Sequence, residues 1–210
     1  MRCRLGRLRR ALKSWIAILA ISQLAGQTRS VSLKEPFGPE NQLVSPNGAY
    51  GLFGIQSAKG PDNALWLEDR RTQERKVVFS VTVQTLTLAW SPDSAAFIAN
   101  DRALSDVENA YIFDVKTLDR LDLTARITAN AGPGAARFLK DQNQHSYFHA
   151  TRWLDARHVE VQLYGHTDFG GSECFNLRYR VGRDGEVRKL SQRVARVDAK
   201  ECEAIESAQR

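Results

Sequence analysis

Gly165-His166-Thr167-Asp168-Phe169-Gly170-Gly171-Ser172 gathers an imidazole, a carboxylate and two hydroxyls into one glycine-rich loop between apolar runs. Those are the groups of acyl transfer: a serine to attack, a histidine to take its proton, an acid to orient the histidine. That chemistry needs the base between the other two in space, which close neighbours in one loop seldom achieve. No Gly-x-Ser-x-Gly elbow and no phosphate-binding glycine motif accompanies the loop. The loop is therefore expected to be a flexible hairpin connection; the alternative is that His166, Asp168 and Ser172 contact a ligand or partner, since binding residues concentrate on loops, and no catalytic role is expected of them. His145 and His149 have the i, i+4 spacing of a helical metal pair, yet Ser146-Tyr147-Phe148 between them favours a strand. No further ligand stands at a telling spacing, so neither a metal nor another cofactor is expected.

The compartment bears on the remaining reactive side chains. Six basic residues and no acid crowd the start of the chain, Trp15 to Ile21 form a short apolar run, and small residues follow around Ser22, Ala25 and Gly26. This is the layout of a secretory signal peptide over residues 1–26. The apolar run is too short for a span, which takes about 20 residues, so cleavage is favoured over an uncleaved anchor and no membrane span is expected afterwards. Arg9-Arg10 reads as part of an ordinary basic leader rather than a twin-arginine signal. The whole chain carries 30 basic and 24 acidic residues; without the first 26 residues it carries 24 of each. The basic balance thus belongs to the leader, and no nucleic-acid partner is expected. The basic stretch from Arg183 to Arg196 reads as a solvated strand face. Cys174 and Cys202 are the cysteines that remain after cleavage, and in an oxidising compartment two such thiols are expected to pair. The alternative, a free reactive thiol, lacks an adjacent histidine or basic cradle in sequence.

The elements that must position these groups are mainly β. Residues 27–42, with Pro36, Gly38 and Pro39, read as a leader segment before one β-rich domain spanning 43–210. Val44-Ser45-Pro46-Asn47-Gly48 recurs as Trp90-Ser91-Pro92-Asp93-Ser94, and at the same offset Leu65-Trp66-Leu67-Glu68 recurs as Tyr111-Ile112-Phe113-Asp114. Proline at the second turn position and Asn-Gly after it are strong β-turn chemistry. The pattern predicts a continuous antiparallel meander of about seven strands from Leu43 to Val115, with Trp66, Trp90, Tyr111 and Phe113 in its core. Leucines spaced from Leu118 to Leu139 predict a helix, or two short helical turns, around Gly132-Pro133-Gly134. Further strands are expected over Tyr147–Trp153, His158–Tyr164 and Phe175–Val181, with Arg183-Asp184-Gly185 turning into a last one. Trp153-Leu154-Asp155 reads as a degenerate, out-of-register echo of the turn motif.

The two turn motifs, each followed by a strand pair ending in an acid, resemble the WD40-like β-propeller repeats of the TolB type over Leu43 to about Lys116. A period in the forties is that of a four-stranded blade. The resemblance implies a partial propeller and protein–protein interaction in the cell envelope; it carries over no catalytic residue, because the matched repeats contain none. A chain with room for three blades falls short of closing a ring. An open sheet capped by the helix is favoured over a ring built with other subunits, because an uncovered edge invites aggregation. The function expected is that of a periplasmic or secreted, non-enzymatic binding or scaffold protein whose partner is another exported protein. The alternative is a small envelope hydrolase or metal-binding protein using the 165–172 loop.

Overall fold

The computed structural model describes residues 28–32, 38–55, 63–81, 85–102, 107–139, 145–167 and 173–196. The leader, Asp168, Ser172 and Cys202 lie outside the described residues. The fold is mainly β. One sheet of four strands contains β2 (Leu43–Val44), β3 (Tyr50–Ile55), β4 (Asn63–Asp69) and β5 (Glu74–Val81). The second begins with β1 (Thr28–Ser32), β6 (Thr85–Trp90), β7 (Ala96–Arg102), β8 (Val107–Asp114) and the short β9 (Arg120–Asp122). It continues through β10 (His145–Trp153), β11 (His158–Thr167), β12 (Glu173–Gly182) and β13 (Val187–Arg196), in the order β1-β6-β7-β8-β10-β11-β12-β13 with β9 beside β8.

Strict alternation explains why the second sheet has two buried faces. On β6, β7 and β8, Leu86, Leu88, Trp90, Phe97, Ala99 and Phe113 join one core, shared with Leu52 and Leu67 of the four-stranded sheet. Ala96, Ile98, Ala110 and Ile112, pointing the other way, join Val159, Val161, Leu163, Phe175, Leu177, Tyr179 and Val181 in a second core. That second core also takes Leu123 and Ile127 of α1 (Leu123–Asn130) and Ala135 and Phe138 of α2 (Gly132–Leu139), so the long sheet curls around the two helices. Asp122 caps α1 by accepting from the Ala125 N–H at 2.8 Å, and Gly132 at φ 68° breaks the chain into α2. The expected helical segment is present, but it lines a face of the sheet rather than covering an edge.

The expected meander is also corrected. β5 and β6 do not pair; the first repeat folds over the second face to face, stacking Phe79, Phe113 and Phe97 with ring centroids 5.2–5.3 Å apart. Face-to-face packing buries both apolar faces, which an edge-on continuation would leave wet. The leader segment likewise contains a strand, β1, paired antiparallel with β6.

The turns repeat atom for atom. Ser45 Oγ donates to Asn47 Oδ1 (2.8 Å) and accepts from Tyr50 N (3.0 Å); Ser91 Oγ donates to Asp93 Oδ1 (2.6 Å) and accepts from Ala96 N (3.0 Å). Gly48 and Ser94 share the left-handed conformation, at φ 73° and 61°. Beyond this point the offset changes. Tyr50 pairs with Asp69 as Ala96 pairs with Asp114, so the equivalent of Trp66-Leu67-Glu68-Asp69 is Tyr111-Ile112-Phe113-Asp114. The sequence alignment was one residue out here. Asp69 and Asp114 each accept two backbone N–H groups of the following turn, at 2.9–3.1 Å.

Trp153 opens a third copy. Its indole N–H donates to Ala89 O at 3.2 Å, just as that of Trp90 donates to Leu43 O at 2.9 Å, and Ala89 and Leu43 are equivalent positions. The turn that follows is shorter: Leu154 N bonds His158 O, four residues on, where Ser45 and Ser91 bond five residues on. Arg183 N then bonds Arg157 O as Arg70 N bonds Ala49 O and Val115 N bonds Ala95 O. The echo is therefore in structural register; the shortened turn hid it.

Candidate functional site

The turns of the second and third repeats meet at one end of the long sheet and enclose an open cleft of about 820 Å³. Asp93 comes from the β6–β7 turn, Asp114, Thr117 and Asp119 from the β8–β9 turn, Arg157 and His158 from the β10–β11 turn, and Arg183 and Asp184 from the β12–β13 turn. Arg120, Ile112 and Leu121 line the floor and wall. Arg183 holds the assembly together. Its guanidinium donates to Asp114 Oδ2 at 3.0 Å, and at 3.4–3.5 Å to Asp93 Oδ2, Ala95 O and Ala156 O. Burial pushes the Asp114 carboxyl up, but the Thr117 and Lys116 N–H groups and Arg183 outweigh it and hold the acid below the usual carboxylate range. Gly182 takes the place of Asp69 and Asp114 in this repeat, and the Asp184 carboxylate fills the space a side chain there would need.

His158 has both ring nitrogens engaged. Arg180 Nη2 donates to Nε2 at 2.8 Å, so that nitrogen is the acceptor and Nδ1–H faces Asp155 at 2.8–2.9 Å. The Arg157 N–H and then His158 hold Asp155 below the ordinary carboxylate range against the effect of its partial burial. An imidazole tied at both ends has no nitrogen to offer a substrate proton. The side chains of Asp119, Arg157 and Asp184 extend into the cleft without ion-pair partners among the described residues, so the cleft displays both signs of charge on a rigid turn framework.

A second group of titratable side chains sits at the far end of the same strands. Glu108 of β8 meets His149 Nδ1 of β10 at 2.6 Å and the Tyr164 hydroxyl of β11 at 3.5 Å. Asp101 of β7 has a buried carboxylate oxygen without a partner, and burial together with the Glu108 charge pushes its pKa up to about 6. Beside it the parallel pairing of β8 with β10 lasts only two residues. The Asn100 side chain then takes over, donating to Ala150 O (3.1 Å) and accepting from Ala150 N (2.8 Å) in place of a strand.

Of His166, Asp168 and Ser172, the loop residues singled out from sequence, His166 alone is described, and it does not line the cleft. His166 lies at the far end of β11, in register with His145 on β10 and Cys174 on β12. His145 and His149 lie on one strand, as expected. Cys174 is buried. Among the described residues no group of three or more His, Cys, Asp or Glu side chains converges as a metal site. No helix among them is long and apolar enough to cross a membrane. Sequence reasoning missed the cleft. Its one available signal was the acid closing each aromatic strand, which marks where every repeat turns at the same end.

No protein-family model matches the chain, and no curated protein matches it. Among solved structures, the chain is similar to the β-propeller domain of the trilobed protease from Pyrococcus furiosus, described as having an open velcro topology. The identity is 15%, the TM-score 0.45, and the match covers 70% of this chain and 41% of that one. A second similarity is to the acylaminoacyl peptidase of Pyrococcus horikoshii, with 12% identity, a TM-score of 0.31, and coverage of 70% and 31%. The chain thus spans less than half the length of either.

Proposed function

We propose that this chain is a periplasmic or secreted binding module of TolB-like repeats, and that its turn-end cleft receives a segment of another exported protein. The observation that carries the reading is the Arg183 clamp. One side chain ties the turns of two repeats into a fixed frame, leaving Asp119, Arg157 and Asp184 presented to solvent. A preorganised frame lowers the ordering cost of binding. Engagement of both His158 nitrogens favours recognition over proton transfer in the cleft. Export is supported by the basic leader and short apolar run of the first 26 residues. A photo-crosslinker at Arg157, used in intact cells, should trap one exported protein; the same probe at exposed Val77 on β5 should not. Asp119→Arg should abolish the adduct while leaving the melting temperature unchanged. A stoichiometric metal lost on His166→Ala, or hydrolysis lost with it, would overturn this reading in favour of an enzyme.

A further inference from the structure

The half of the long sheet formed by β10–β13 has a convex face that no described strand or helix covers, and cross-strand register arranges it in rows. One row runs Arg152, Glu160, Arg180, Arg188; the next includes Arg178, and the one after that ends in Arg193. These rows thus carry five arginines to one glutamate. Arg180 and Arg188 stand directly opposite each other, a like-charge pair that costs stability. The face already holds one carboxylate. The Glu160 carboxylate accepts from Arg152 Nη2 at 2.9 Å and lies 3.4 Å from Arg178 Nη1, while those two side chains remain 67% and 53% exposed.

The last strand extends the same chemistry to an edge. β13 runs ten residues with Arg188, Lys189, Arg193 and Arg196 and no acid. Among the described residues no strand pairs with its outer side, and residues 188–193 are exposed. Positive charge on an edge discourages pairing with a second copy, which would add four more cations and no acid. An extended acidic segment meets no such penalty. Its backbone completes the ladder, and its alternate side chains, about 7 Å apart, present carboxylates along Arg188 and Arg193.

We propose that β13 is a docking edge for an acidic, extended polypeptide segment that adds to the sheet as a further strand. The surface is distinct from the cleft, so its failure would leave the cleft reading standing. The test is fluorescence anisotropy of a labelled, alternating Glu-Val heptapeptide against the intact protein. Saturable binding is expected, weakening as salt rises. Arg188→Glu with Arg193→Glu should weaken it at least tenfold, and Arg188→Lys with Arg193→Lys should retain most of it. Methylating alternate peptide nitrogens of the probe should also cost at least tenfold, because strand addition needs those N–H groups. Equal binding by the charge-reversed protein or by the methylated peptide would overturn the proposal. So would binding confined to a chain ending at residue 196, since residues 197–210 would then be the occupant. Capture of phosphatidylglycerol vesicles without peptide binding would overturn it too.

Discussion

Asp101 shows how one residue can work against the fold that holds it. Its carboxylate is buried at the end of β7, one oxygen lacks a partner, and Glu108 is close enough to repel it; the pKa rises to about 6 from 3.8. Between those values the native state binds a proton that the unfolded chain does not, so stability rises as pH falls from above 6 towards 4. Above pH 6 the folded protein bears the cost of an unpaired buried charge. Asp101→Asn removes that charge, and it should stabilise the protein at pH 7.5 by about 1–3 kcal/mol, the range implied by a shift of this size. Urea melts of both proteins at pH 5 and 7.5 check it: the gain should be small at pH 5 and large at 7.5. A variant no more stable at pH 7.5 would show that the carboxylate has a partner in solution.

Within elements, the repeated turns separate what local chemistry dictates from what it does not. Both Ser-Pro turns were legible because their hydrogen bonds lie within six residues, between Ser45 and Tyr50 and between Ser91 and Ala96. The second, acid-closed turns follow the same logic, yet each places a residue other than glycine in the left-handed region: Gln73 at φ 62° and Leu118 at φ 59°. Such a conformation costs a side-chain-bearing residue about 1 kcal/mol. Gln73 is exposed and its Nε2 donates to Arg70 O at 2.9 Å, a solvent-accessible local bond that water replaces, so Gln73→Gly should still raise stability, by about 0.5 kcal/mol. Ser94→Gly, at φ 61°, should give no gain, because Ser94 Oγ accepts from the Asn47 N–H of the neighbouring turn at 3.0 Å. Thermal melts of the two variants should therefore move apart. That cross-turn bond, the indole bonds of Trp90 and Trp153, and the Arg183 clamp each join residues 47 to 90 positions apart. Periodicity and turn signatures are blind to such pairings, which is why the split into two sheets, the one-residue change of offset and the cleft were not legible. His166 drew notice through its sequence proximity to Asp168 and Ser172, which lie outside the described residues; the sheet sets it at the opposite end from His158 on the same strand.

At the scale of the molecule, the long sheet is finished unequally. Its concave side is filled by α1 and α2, and the four-stranded sheet covers the convex side of β6–β8, whereas the convex side of β10–β13 has no such cover among the described residues. Cys174 lies on the convex side of that half, in register with His166 on one side and Ala195 on the other, and is only 7% exposed. A bond from Cys174 to Cys202 would fasten the chain beyond β13 to the far end of this half, where β12 begins. The sheet order gives that bond a mechanical role: among the described residues β13 pairs with β12 alone, with one bulge in the pairing, and beyond that ladder it is held by the packing of Val187 and Val194 on the second core. In the chain-entropy account a loop of this length contributes about 3 kcal/mol. For a chain of this size that corresponds to a melting temperature roughly 6–12 °C higher without reductant than with it. Non-reduced mass spectrometry of the exported protein should find the two cysteine peptides linked. The cooperative loss of β13 on reduction should appear as faster amide exchange over residues 187–196 than over β11. Two alkylatable thiols in the native exported protein, with exchange unchanged by reductant, would show that the strand is held by its ladder and this packing alone.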